Sequence, residues 1–144
     1  MTRQQKYPDT KYFRFYNANP HGRITGDCVI RAIATATENE YNVVCMAEAV
    51  MRIESGYSLG NDGINWILER IGWKRQKQPR KANGKKYTGE EFCRAIQNGQ
   101  FKELEGKRIV ANIGGHHTVA IVDGKVWDTW DSTDGCIGNY WIKE

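Results

Sequence analysis

Apolar and polar positions follow two rhythms along this chain, helical in the first two thirds and strand-like in the last. Asp27-Cys28-Val29-Ile30-Arg31-Ala32-Ile33-Ala34-Thr35-Ala36 places apolar residues at 29, 30, 33 and 36 among several alanines, which predicts a mostly buried helix. Asp27 or Thr25 can cap it, because an oxygen acceptor satisfies free amide hydrogens of the first turn. A second helix is predicted over Glu40 to Ile53, with Val43, Val44, Met46, Ala47, Val50 and Met51 on its apolar side. A third runs from Asp62 to a stop at Gly72. A fourth starts at Thr88, where Thr88 and Glu91 have capping-box spacing, and ends near Gly99.

The rhythm then changes. Residues 108–113 and 117–122 are rich in β-branched side chains, and Asp123-Gly124 is a two-residue hairpin signal leading into 125–130. Residues 139–143 form the last strand candidate. Tyr12-Phe13-Arg14-Phe15-Tyr16 is an extended aromatic segment, and Asn17 to Gly22 a turn-rich loop. Helices first and an antiparallel sheet afterwards predict an α+β fold. Residues 1–11 are expected as a flexible arm and 12–144 as one domain, since 144 residues suffice for a core of their own.

No apolar run approaches the ~20 residues of a membrane span, and the polar N-terminus lacks the apolar core of a secretory signal. The expectation is a cytoplasmic protein with no membrane partner. The net charge of +4 is modest but uneven: Lys74, Arg75, Lys77, Arg80, Lys81, Lys85 and Lys86 follow one another with no acid between them. Such a run is ordinarily a solvated loop, and it offers a substrate or partner surface at Lys74, Arg75, Lys77, Arg80 and Lys81. It lacks the interleaved aromatics of single-strand binders, so specific nucleic-acid binding is not expected.

Four cysteines, Cys28, Cys45, Cys93 and Cys136, match no zinc pattern, and without a signal segment they read as free thiols. Cys28 differs from the others by its place at a helix start. There the helix dipole and unpaired amide hydrogens lower a thiol pKa and can face the oxyanion formed on carbonyl attack. Taken alone, a cysteine in this setting is more often a small core residue.

The predicted hairpin supplies its companions. A two-residue Asp123-Gly124 turn pairs Val122 with Lys125, Val119 with Asp128 and His117 with Trp130. Alternation then puts His117 and Asp128 on one face, diagonal neighbours about 7 Å apart at the backbone, and His116 with Asp131 on the other. His117 with Asp128 is the pair selected. A bulge at the turn would favour Asp131 as the acid. A cysteine, an imidazole and a carboxylate in that order are the parts of a nucleophile, its proton carrier and an orienting group.

The order Cys28, His117, Asp128, with helices between the cysteine and a C-terminal sheet, resembles the papain-like cysteine peptidase superfamily. Gly26-Asp27-Cys28 is similar to the nucleophile segment of the C39 bacteriocin-processing peptidases. Asp128-Thr129-Trp130 resembles the Asn-Ser-Trp segment of papain proteases. Over nearly the whole chain, Asn19-Pro20-x-Gly22-x-x-Thr25-Gly26-Asp27-Cys28-Val29-Ile30-Arg31-Ala32 and His117-x-x-Ala120-x-Val122-Asp123-Gly124 resemble a family of small phage and bacterial proteins. The resemblance implies a papain-like fold, with N-terminal helices packed on an antiparallel sheet, in a protein of the bacterial cytoplasm. It also implies a glutamine about six residues before the cysteine, completing the oxyanion hole. Gly22 stands there, and Asn19 is the nearest side-chain amide of suitable chemistry.

The function expected from residues and resemblance together is a thiol hydrolase: peptidase, isopeptidase or amidase. Cys28 would be the nucleophile, His117 the proton carrier, Asp128 (or Asp131) the orienting acid and Asn19 the oxyanion donor. The partner would be a peptide or protein, and no metal or organic cofactor is called for. The alternative is a non-catalytic binding or inhibitor protein on the same scaffold, directed at a host protein.

Overall fold

The computed structural model describes residues 1–144. Five helices and six strands follow the chain as α1 (Arg3–Lys6), β1 (Phe13–Phe15), α2 (Cys28–Thr37), α3 (Tyr41–Ser55), α4 (Asn61–Glu69), β2 (Trp73–Gln76), α5 (Gly89–Gln97), β3 (Ile109–Ile113), β4 (His117–Val122), β5 (Lys125–Asp128) and β6 (Ile137–Lys143). The strands form one mixed sheet in the order β1-β5-β4-β3-β6-β2. The class is α+β.

Local chemistry accounts for most of these boundaries. Thr88 and Glu91 close the reciprocal capping box at the start of α5. Helix α3 ends on Gly56 at φ 74°, a left-handed position that costs glycine no Cβ clash. Asp123 and Gly124 both have positive φ, 52° and 69°, as a two-residue hairpin turn between β4 and β5 requires. That turn fixes Val122 opposite Lys125 and Ala120 opposite Trp127.

The sheet is covered on both faces. Against one face, α2 supplies Val29, Ile30 and Ile33, and α4 supplies Ile64 and Leu68, packed with Val110, Ala120 and Trp141 of the sheet. Against the other, Phe92 and Cys93 of α5 pack with Ile109, Ala111, Val119, Ile121 and Val126. Alternate residues of β3 and β4 thus enter opposite cores, as the period of two dictates.

The structure corrects several sequence expectations. The sheet is not wholly antiparallel: β1 runs parallel to β5, pairing Phe13 with Val126 and Phe15 with Asp128. A pairing between segments more than a hundred residues apart leaves no mark in local periodicity. The arm expected over 1–11 contains the helical turn α1, closed by a Thr2–Gln5 capping box and tied down by Arg3 Nε donating to the Thr129 carbonyl at 2.7 Å. The basic run begins as strand β2, antiparallel to β6 at the sheet edge. Helix α3 turns much of its expected apolar side outward. Only Val44 and Met51 are buried there, whereas Met46 is 61 % exposed and Val50 46 %. No helix is long and apolar enough to cross a membrane.

Candidate active site

Cys28 is the first residue of α2, and the side chain of Asp27 at the cap makes no hydrogen bond to the first-turn amides. The first-turn amides of Cys28, Val29 and Ile30 therefore have no intrahelical acceptor. All three residues border a cavity of about 710 Å³. Its other walls come from α3 (Tyr41, Cys45, Glu48, Arg52), the start of α4 (Gly60, Asn61) and the turn into β4 (Gly115, His116, His117). Helix α2 packs along β4, and Cys28 and His117 border the same cavity.

His117 opens β4 and Asp128 closes the antiparallel β5, so the two lie at the same end of the hairpin. His117 Nε2 is 2.5 Å from Asp128 Oδ2. The hairpin register delivers this pair, but alternation is only part of the reason. Val119 and Val126, two residues inward on each strand, pack on the α5 side, whereas His117 and Asp128 engage Cys28 and Arg31 of α2. Both residues sit at strand ends, beyond the last pair of the β4–β5 ladder though still paired on their other sides with Ile113 and Phe15. Cys28, the His117 ring and Thr118 border the same cavity, close enough for His117 and the Thr118 backbone to lower the thiol pKa. With Nε2 held by Asp128, Nδ1 is the ring nitrogen left for the thiol.

Two further residues, Arg31 and Trp130, complete the surroundings of this trio. Arg31 is 7 % exposed and donates from Nε to Asp27 Oδ1 at 2.8 Å and from Nη1 to Asp128 Oδ1 at 2.5 Å. Its position three residues after Cys28, on the same helix face, is the hint a sequence reader could have used. Trp130 lies over the imidazole with ring centroids 4.9 Å apart. The extended hairpin register does place Trp130 opposite His117.

The electrostatics separate the cysteines. Burial pushes the Cys28 thiol up, but hydrogen bonds from His117 and Thr118 and the positive charges of His117 and Arg31 outweigh it. The thiol is held below its ordinary 9.0. Burial works against protonation of His117, yet hydrogen bonds and charge from Asp128 and Cys28 push it up from 6.5 to about 9. Cys45, on the same cavity, is pushed up by burial and by the nearby Glu48 carboxylate. Cys93 is fully buried and pushed up to about 12. Cys136 is exposed on the surface. Only Cys28 has both an activating partner and a cavity in front of it.

Three sets of candidate residues lie away from the reactive pair. Asn19 is buried, and its amide donates to Asp27 Oδ2 at 3.2 Å and to the Tyr41 hydroxyl at 3.4 Å. It is not on the cavity wall, so it is not placed to hold an oxyanion. Its attraction to the Asp27 carboxylate, itself also bonded by Tyr41 at 2.8 Å, turned it inward. Asp131 accepts from Thr133 N at 2.9 Å and Thr133 Oγ1 at 2.6 Å, folding its own turn rather than reaching His117. The basic residues Lys74, Arg75, Lys77, Arg80 and Lys81 do not line the cavity, because β2 sits at the sheet edge beyond β6. Lys81 pairs instead with Glu91 of α5.

No group of three or more His, Cys, Asp or Glu side chains is placed to hold a metal ion. Comparison with known proteins finds no matching family model, no matching curated protein and no matching solved structure. The functional reading rests on the site itself. A thiol held below its ordinary 9.0 at a helix start, an imidazole raised to about 9 and a buried carboxylate behind it are the parts of a thiol nucleophile with an adjacent proton carrier. Groups of this kind can serve attack on electrophilic carbon and proton delivery to a leaving group.

Proposed function

We propose that the protein is a papain-like thiol hydrolase that cleaves an amide, isopeptide or related acyl bond in a peptide or protein. The observation that carries this reading is the meeting of Cys28 and His117 at one cavity, with Asp128 buried behind the imidazole. The thiol there is held low and the imidazole high.

In the proposed cycle the Cys28 thiolate attacks the carbonyl carbon, and the electron pair moves onto oxygen. The free amides at the start of α2 face that oxyanion, and no side-chain donor need be added from Asn19. Collapse expels the amine, which takes the His117 proton, and leaves a thioester on Cys28. His117, now neutral, removes a proton from water as it attacks the thioester. The acid departs, and the thiolate and imidazolium are restored. Asp128 keeps the ring aimed and stabilises its charge throughout.

The inward turn of Asn19 favours a second reading, in which the cavity captures a peptide without turnover. Incubation with p-nitrophenyl acetate separates the two. A hydrolase releases a burst of nitrophenolate, carries an acetyl thioester on Cys28, then turns over steadily, and Cys28→Ala removes all three. A wild type acylated only at the exposed Cys136 contradicts hydrolysis and leaves peptide capture.

A further inference from the structure

Arg31 is the only cation joined to the two carboxylates beside the reactive pair, and it uses a different nitrogen for each. Nε holds Asp27, the residue just before Cys28, and Nη1 holds Asp128 on β5. The acceptors on Asp128 are fully divided. Oδ1 takes Arg31 and the Thr129 backbone amide, at 2.5 and 2.7 Å, and Oδ2 takes His117. Asp27 is in turn fixed through Oδ2 by Tyr41 and Asn19. An ion pair serving stability alone has no need to divide the carboxylate in this way, and buried pairs are weak contributors to net stability.

We infer that Arg31 is a positioning residue for the reaction: its rigid fork locks the Asp128 carboxylate so that Oδ2 alone meets His117, and it fastens the helix bearing the nucleophile to the strand bearing the acid. This rests on reading Cys28 and His117 as a reactive pair. The planar guanidinium matters because its donors point in fixed directions, so both carboxylates are held at set angles. A lysine supplies equal charge through one mobile ammonium and bridges them loosely. With Asp128 free to turn, the imidazole loses its aim at the attacking water. A misplacement of about 1 Å costs on the order of 10²-fold in rate.

The test compares wild type, Arg31→Lys and Arg31→Met. Each is followed by iodoacetamide alkylation of Cys28 across pH, by deacylation of the acetyl thioester and by thermal melting. Arg31→Lys keeps the charge, so its alkylation profile should match wild type while deacylation slows about 10- to 100-fold. Arg31→Met also loses the charge, so its alkylation profile should move to higher pH. If Arg31→Met does not fold, Arg31→Lys decides alone. A folded Arg31→Lys that deacylates at the wild-type rate overturns the proposal and leaves the hydrolase reading standing. A wild type with an ordinary alkylation profile and no thioester removes the hydrolase reading, and the Arg31 role with it.

Discussion

Asp128 Oδ2 and His117 Nε2 stand 2.5 Å apart across the open end of a hairpin, and Asp128 is only 2 % exposed. A carboxylate so enclosed acts as a fixed negative charge behind the imidazole. Asp128→Asn keeps the shape and removes the charge, so acylation of Cys28 should fall roughly 10²–10⁴-fold. Asp128→Ala also strips Arg31 of one partner and should cost about 3 kcal/mol in urea unfolding, the lower end expected for a broken buried pair. Asp131→Ala should change acylation little, since Asp131 bonds only within its own turn.

Trp130 covers the imidazole that Asp128 holds. Trp130→Ala opens the His117 ring to water and removes an aromatic contact of about 0.5–1.5 kcal/mol. Acylation should slow by up to about 10-fold, with the fold retained by circular dichroism.

Stability should depend on pH in two opposed ways. His117 is raised from 6.5 to about 9 in the folded state, so its contribution is full below 6.5 and lost as pH rises through about 9. Asp27 is held below 3.8, despite burial, by Arg31, Tyr41 and Asn19. Its contribution is therefore present above 3.8 and lost as pH falls through the folded value. Cys28, an acid held below 9.0, contributes in the sense of Asp27 and partly masks the alkaline loss. Urea midpoints of Cys28→Ala expose that loss. It should begin at lower pH than about 9, because one of the groups raising His117 is gone.

The outward face of α3 makes a prediction about packing rather than chemistry. Met51 is fully buried beneath the helix, and Met51→Ala should cost about 2–5 kcal/mol. Ile53 projects to solvent, and Ile53→Lys should stay within about 0.5 kcal/mol of wild type. The sequence pattern alone would assign Val43, Met46 and Val50 of this helix to the core. Chemical denaturation of the paired variants checks which face is inward.

What the residues revealed in advance was whatever short-range chemistry controls. The Asp123-Gly124 turn set the β4–β5 register, the Thr88–Glu91 box set the start of α5, and an alanine-rich apolar stretch set α2. The placement of Cys28 beside His117 was an expectation from their chain order and the papain-like resemblance, not from those local features. The long-range features were hidden. The parallel pairing of β1 with β5 and the edge position of β2 are decided by which segments meet, and a short apolar run does not encode its partner. Asn19 offered suitable chemistry, but the Asp27 carboxylate competed for it, and a competition between buried partners is settled only in three dimensions. Arg31 reads in sequence as an odd charge on an apolar helix. Its meaning appears once two carboxylates surround it.

The proposed thiolate–imidazolium pair is tested most directly by NMR titration of the His117 ring, assigned against a His117→Gln variant because the chain has three histidines. The ring should stay protonated through neutral pH and release its proton near 9, and Cys28→Ala should lower that value. A His117 that titrates near 6.5 and ignores the removal of Cys28 would contradict the account.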